Sequence, residues 1–171
     1  MTKKMGIGLI CFALASSTYA REISKNQKFI GVEVNVAEAQ GYEPNDVGDG
    51  VGFGLRIGAR NEDWRTMFTV NYFDAPEHNV EKLFLSIDHF FMKTNFMDEY
   101  EMRPYMGLNV GYMNYESVGV NEDGLLYGIQ TGVTMDLLED VEFELGYRYS
   151  LSNSDELDHT RDVLFGINYQ Y

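Results

Sequence analysis

Eight stretches of the chain alternate between apolar residues and polar or small residues with a period of two. Between residues 50 and 60, for example, Leu55 and Ile57 share one phase and Arg56 lies in the other. This period is typical of a β-strand with one apolar face. The pattern therefore predicts a single all-β domain with strands at residues 28–37, 50–60, 64–73, 82–92, 103–115, 124–136, 141–151 and 161–171.

The glycines indicate which face of these strands points inward. The interior of an eight-stranded barrel is just filled by side chains, so small residues belong inside it. We therefore predict an antiparallel up-and-down transmembrane β-barrel with its apolar phase turned outward. The alternative is a soluble lipocalin-type barrel, whose apolar phase would point inward. Ten glycines lie within the predicted strands, all in the polar phase: Gly31, Gly52, Gly54, Gly58, Gly107, Gly111, Gly128, Gly132, Gly146 and Gly166.

Aromatic residues occupy both ends of the apolar phase. Membrane barrels carry such aromatic girdles where the wall meets the two membrane interfaces. Each predicted strand also has about the 9–11 residues that a tilted membrane-spanning strand needs. Both features favour the membrane barrel over the soluble one. The predicted girdle residues are Trp64, Tyr72, Phe91, Tyr112, Tyr127, Phe143 and Tyr149.

The first twenty residues have the composition of a secretory signal peptide. Lys3 and Lys4 precede the apolar run 5–15, and small residues follow at 16–20. We expect residues 1–20 to be removed and residues 21–171 to form the barrel domain. Removal of the two lysines changes the net charge from −14 to −16, which argues against a nucleic-acid partner. Cys11 is the only cysteine and lies in the removed segment, so no disulfide is expected.

The last eleven residues, R-D-V-L-F-G-I-N-Y-Q-Y, form the most regular of the alternating stretches. They resemble the terminal strand of bacterial outer-membrane β-barrels, which usually ends on Phe where this chain has Tyr171. The run P-Y-M-G-L-N-V-G-Y at residues 104–112 also resembles a run common in OmpX-like barrels and in the transmembrane domain of OmpA. The resemblance implies an assembly signal at Phe165, Ile167, Tyr169 and Tyr171.

The same resemblance implies a location and a set of partners. The chain is expected in the outer membrane of a Gram-negative cell, as part of the cell envelope and the wider porin family. Its expected partners are outer-membrane lipids, lipopolysaccharide and the barrel-assembly machinery during insertion. No cofactor is expected.

Four connections that are predicted to face outside are strongly acidic. Residues 38–49, 74–81, 116–123 and 152–160 contain thirteen Asp and Glu and no Lys or Arg. One interpretation is a solvated acidic rim. The other is weak binding of divalent cations, because clustered carboxylates suit hard cations. The spacing does not match a calcium-binding loop, so we predict no specific metal site.

Charged residues also lie in the inward phase, six acids against six bases. Charges that are shielded from water need partners. The equal numbers favour a salt-bridged, closed lumen over a charged pore. The predicted lumen network is Glu33, Arg56, Asp88, Glu144 and Arg148.

Three functions are consistent with these features. The first is an outer-membrane barrel with a structural or surface-interaction role, and the second is a narrow porin-like channel for ions or small solutes. The third is an envelope lipid-modifying enzyme, for which Ser150, His159 and a loop acid are conceivable. His78, His89 and His159 do not form a set along the chain, so we predict no catalytic residues and no enzyme.

Overall fold

A computed structural model describes residues 26–41, 47–75, 78–96, 100–117, 120–154 and 157–171. The predicted signal peptide lies outside these residues. No helix in the described part of the chain is long and apolar enough to cross a bilayer. The strands are β1 (Gln27–Gly41), β2 (Val47–Arg60), β3 (Trp64–Ala75), β4 (His78–Phe90), β5 (Thr94–Phe96), β6 (Tyr100–Ser117), β7 (Val120–Leu138), β8 (Val141–Ser152) and β9 (Leu157–Gln170).

Eight long strands form one closed antiparallel barrel. Each long strand pairs with the next along the chain, and β4 pairs directly with β6 across the short β5. The barrel closes between β1 and β9, where Val34 lies opposite Phe165. The predicted fold class, an all-β, eight-stranded, up-and-down barrel, is confirmed.

The strands are longer than the alternating pattern predicted, and the outer connections are correspondingly shorter. β6 and β7 pair as far as Ser117 and Val120, so the predicted loop 116–123 is mostly strand. Likewise, β1 extends to Gly41 within the predicted loop 38–49. The apolar phase of the outer face ends before the strands do, whereas backbone pairing continues because every strand still has a neighbour. The acidic residues at 43, 46, 77, 155 and 156 lie outside the described residues.

The predicted connection 93–102 also contains regular structure. β5 pairs with the first residues of β6, with Thr94 opposite Met102. This short hairpin, the turn at residues 61–63 and Tyr171 lie at one end of the barrel, which is named the inner end. Between β2 and β3 the chain reverses through Asn61, whose side-chain oxygen accepts hydrogen bonds from the backbone N–H groups of Asp63 and Trp64.

The two faces of the wall have the predicted orientation. Leu55 and Leu108 are 66% and 67% exposed on the outer face, whereas Arg56 and Asn109 beside them are buried in the lumen. The inward glycines allow lumen side chains to lie close to the wall, since a Cβ on Gly166 would collide with the Arg56 guanidinium. The soluble-barrel alternative, with apolar residues pointing inward and polar residues outward, is therefore wrong.

Candidate functional site: the barrel lumen

A network of buried ion pairs crosses the lumen near its middle. Arg56 on β2 contacts Glu33 on β1 at 2.6 Å and Glu144 on β8 at 2.5 Å. Arg148, also on β8, lies 3.5 Å from Glu33. All four side chains are shielded from solvent. In such surroundings each charge needs its partner, so the network ties β8 to β1 and β2 across the lumen.

Arg65 extends this network toward the inner end. Its guanidinium contacts Asp88 and Glu144, each at 2.8 Å. The Tyr105 hydroxyl donates a hydrogen bond to Glu144 at 2.5 Å, and the Tyr105 ring lies 4.6 Å from Arg65 Cζ. Glu144 therefore receives hydrogen bonds from three side chains, and its negative charge is compensated by two arginines.

A second group of charges lies at the inner end of the lumen. Arg60 donates a hydrogen bond to Glu142, and Arg103 contacts Asp136 at 3.0 Å. On the inner hairpin, hydrogen bonds from Lys93 and Arg103 lower the pKa of the Glu101 carboxyl. These contacts leave the inner mouth lined by paired charges.

The outer half of the lumen contains a buried apolar cluster, and none of its members is more than 9% exposed. Polar side chains such as Ser152 and Thr160 are buried beside it. Two cations lie against this apolar cluster: Lys82, which contacts Asp162 at 2.6 Å, and Arg148, whose Cζ is 4.5 Å from the centroid of the Phe84 ring. The apolar cluster comprises Ala37, Ala39, Phe73, Val80, Phe84, Met113, Tyr115, Leu126 and Leu157.

The five residues of the predicted network all point into the lumen, but they do not form one direct cluster. Arg56 joins Glu33 and Glu144. Asp88 reaches the others through Arg65, and its second oxygen accepts a hydrogen bond from Gln130. Arg65 and Tyr105 were not assigned to the network from sequence. Their inward phase was visible, but their cross-lumen partners depend on the offset between strands.

The predicted girdle and terminal-strand residues lie on the outer face. Trp64, Phe91 and Tyr127 are exposed there, and Trp64 packs edge-on against His89 with ring centroids 4.7 Å apart. The other predicted girdle residues, Tyr72, Tyr112, Phe143 and Tyr149, are exposed or half-buried on the same face. Phe165, Ile167, Tyr169 and Tyr171 are exposed along and just beyond β9; their assembly role stays a prediction.

The catalytic group considered from the sequence is not assembled. The Ser150 hydroxyl points into the lumen and donates a hydrogen bond to Asn109 at 2.8 Å. His159 lies in the opposite phase, opposite outward-facing Leu151, with its Nδ1 2.7 Å from Asp158. The side chain of His78 lies outside the described part. Within the described residues, no group of three His, Cys, Asp or Glu side chains is arranged to hold a metal ion.

No known protein family pattern matches the chain. No curated protein sequence matches it either.

Several solved structures have the same fold. Neisserial surface protein A (NspA) has a TM-score of 0.61 at 14% identity, covering 84% of this chain and 97% of that one. Outer membrane protein H (OprH) from P. aeruginosa has a TM-score of 0.60 at 18% identity, covering 85% and 99%. Ail, the attachment invasion locus protein of Yersinia pestis, has a TM-score of 0.58 at 12% identity, covering 87% and 100%. The chain thus has the fold of small outer-membrane β-barrels.

Proposed function

We propose that the protein is an integral outer-membrane β-barrel with a closed lumen and a structural or surface-interaction role. The observation that carries this proposal is the inverted distribution of side chains. Arg56, Arg65 and Arg148 are among the largest fully buried side chains, whereas Phe53 and Leu108 are 63% and 67% exposed. In water this arrangement would expose a continuous apolar wall, whereas in lipid the wall is solvated.

Fractionation tests the location. We expect the protein in the outer-membrane fraction, with gel mobility that changes on heating because the folded barrel resists unfolding by detergent. A soluble periplasmic protein, followed in the same preparation, is the control for leakage between fractions. Recovery of the barrel in the same soluble fraction as the periplasmic control would contradict the proposal.

We further propose that the acidic connections face the outside of the cell. The opposite end then carries Asn26 and Tyr171, the first and last residues that the structure describes, and the tight turn at residues 61–63. Asp49 and Glu62 are exposed near opposite ends of the barrel, so a single cysteine at either position gives a matched pair. A membrane-impermeant maleimide should label Asp49→Cys in intact cells and Glu62→Cys only after the outer membrane is opened. The reverse labelling pattern would mean that the acidic connections face the periplasm.

The closed lumen is supported by two successive barriers, the network of buried ion pairs and the apolar cluster. Purified protein in a planar bilayer should give no stable openings, while an open porin reconstituted in parallel should conduct. Stable, ohmic openings of the unmodified protein would make the narrow channel the better hypothesis.

The partners also remain proposals. Lipopolysaccharide and lipid contact is supported by the exposed apolar wall, and a surface-interaction role by the shared fold with Ail, the attachment invasion locus protein. Weak binding of Ca²⁺ or Mg²⁺ is supported by the exposed carboxylates of Asp49, Glu81 and Asp123. Calorimetry of the folded protein in detergent should detect heat at millimolar cation. If no such heat is detected, the acidic connections are a solvated rim that does not bind these cations.

A further inference from the structure

His89 lies on the outer face of the wall, close to the inner end of the barrel. It occupies the outward phase of β4 and is half-buried, whereas its chain neighbours Asp88 and Phe90 are buried in the lumen. Within the described part of the chain, the contacts of the His89 ring are with aromatic rings, and none is a hydrogen bond or an ion pair. A neutral imidazole has one donor and one acceptor nitrogen. Both are costly to leave without a partner on an apolar face, so His89 is available to a ligand from outside the chain.

A thioether and two aromatic rings lie around this imidazole. Met106 on β6 is the direct cross-strand neighbour of His89 on one side, and Trp64 on β3 is its neighbour on the other. The ring centroids of Trp64 and Phe91 lie 4.7 and 5.6 Å from that of His89, both in edge-on arrangements. Trp64, His89 and Met106 line the same groove of the outer face. Three strands therefore bring an imidazole, a thioether and an indole together.

The spacing of the imidazole and the thioether suits a shared metal ion. Residues directly opposite each other in an antiparallel pair have Cβ atoms about 4.5–5.5 Å apart, so a His89 nitrogen and the Met106 sulfur are able to bind one ion between them. Met106 is 54% exposed, which leaves the sulfur accessible. On the far side of Met106, the Thr131 hydroxyl donates a hydrogen bond to the Tyr105 carbonyl oxygen and is already satisfied.

We propose that His89 and Met106 bind a soft monovalent metal ion, Cu⁺, beside the indole of Trp64. Thioether and imidazole groups are ligands that copper accepts, whereas Ca²⁺ and Mg²⁺ need carboxylate or carbonyl oxygens. The carboxylate of Asp88 is turned into the lumen and held there by Arg65. The aromatic surroundings also suit a single positive charge. This site is independent of the orientation and the closed lumen proposed above.

Trp64 is the only tryptophan of the chain, so its fluorescence reports on the site directly. The probe is Ag⁺, a soft monovalent ion that is not oxidised by air, titrated in chloride-free buffer into the folded barrel in detergent micelles. Protein extracted from outer membranes is used, because removal of the predicted signal peptide also removes Cys11. We expect saturable quenching of the fluorescence and one tightly bound ion per barrel in native mass spectra.

Two variants each remove one ligand and preserve the shape of the wall. His89→Phe keeps an aromatic ring, and Met106→Leu keeps an apolar side chain of similar size. Loss of even an outer-shell partner typically costs about 10- to 100-fold in metal affinity, so each variant should raise the Kd for Ag⁺ about 100-fold. Met102→Leu is the matched control, since Met102 is also an outward-facing methionine of β6 but lies opposite Met135 instead of a histidine. It should leave the Kd unchanged.

The same titrations decide whether the site exists and which ion it selects. An unchanged Kd in His89→Phe or Met106→Leu would overturn the site, and so would an equal rise in Met102→Leu. Equal quenching by Mg²⁺ or Zn²⁺ would overturn the selectivity for a soft monovalent ion. Cu⁺ kept reduced under anaerobic conditions should displace Ag⁺, and failure to do so would overturn the assignment to copper. Heat-modifiable gel mobility confirms that each variant is folded, and His89→Gln replaces His89→Phe if the latter does not fold.

Discussion

Arg56 shows how a single residue holds the barrel interior together. It bridges Glu33 on the neighbouring strand β1 and Glu144 on β8, three strands away in the closed sheet, with side chains fully shielded from solvent. Arg56→Ala would leave two buried carboxylates short of a partner, and we expect a loss of about 3–5 kcal/mol in the free energy of unfolding. Urea titration in lipid vesicles measures it.

The matched control for Arg56 is Lys93→Ala. The ion pair of Lys93 with Glu101 is exposed, with side-chain exposures of 47% and 36%, and exposed pairs contribute at most about 1 kcal/mol. Similar losses for the two variants would mean that the lumen charges are screened by water.

Gly128 illustrates a close approach between two strands. A Cβ at this position would collide with the Tyr149 carbonyl oxygen and lie 2.7 Å from Ser150 Cα, both rigid backbone atoms of β8. Gly128→Ala should therefore lower the unfolding midpoint. At Gly124 the nearest atom to a Cβ is 3.0 Å away, on the Ser154 side chain. Gly124→Ala is the control, and an equal effect on urea unfolding would contradict the close approach.

For single residues, the sequence predicted which side chains face the lumen but not which of them contact each other across it. Alternation alone assigned Arg65 and Glu144 to the inner face. Their contact joins residues 79 positions apart, and it depends on how far each strand is shifted along its neighbours. A period-two pattern carries no information about that shift, so the partners became visible only in the closed barrel.

Among the strands, β6 shows where the membrane band lies. Val110 is exposed on its outer face between Leu85 and Tyr127, and Asn114 lies four residues further out on the same face between Glu81 and Asp123. Val110→Arg should cost about 2–4 kcal/mol if it lies near the midplane, and Asn114→Arg about 0–1 kcal/mol. Equal costs in vesicle-based unfolding would contradict this position of the band.

The predicted strands are shorter than the observed strands because the apolar phase and the backbone pairing end at different residues. The apolar phase marks the exposed apolar face of the wall, and the predicted strands agree with the observed ones over that face. Beyond Tyr112 the outward phase is no longer apolar, because Asn114 follows it, although β6 continues to Ser117. Backbone hydrogen bonds hold this extension, and they leave no period-two signature in hydrophobicity.

The lumen contains a charged layer and an apolar layer, and we expect each to block conduction alone. Arg56→Ala disrupts the charged layer, and Phe84→Ala opens the apolar layer, because Phe84 is fully buried in the apolar cluster. Neither single variant should conduct in a planar bilayer, whereas the double variant should. Conductance of one single variant would show that the remaining layer is permeable.

The apolar layer was the part of the molecule that sequence did not predict. Glycines and charges in the inward phase suggested a polar interior throughout. Phe73, Phe84 and Leu126 share that phase, but their large side chains fit because glycines on neighbouring strands leave room. A Cβ on Gly111, for example, would lie 2.6 Å from the Phe84 ring.

This apolar interior also affects the chain before it is inserted. In the outer half of the barrel some strands carry apolar residues on both faces, as in Leu83, Phe84 and Leu85, or Leu125, Leu126 and Tyr127. Until the barrel closes, both faces of these segments are exposed to water, and such short, uncharged, apolar runs favour self-association. We therefore expect chaperones that bind the chain before insertion to bind residues 83–85 and 125–127 in preference to the regularly alternating residues 30–36, which carry apolar side chains on one face only.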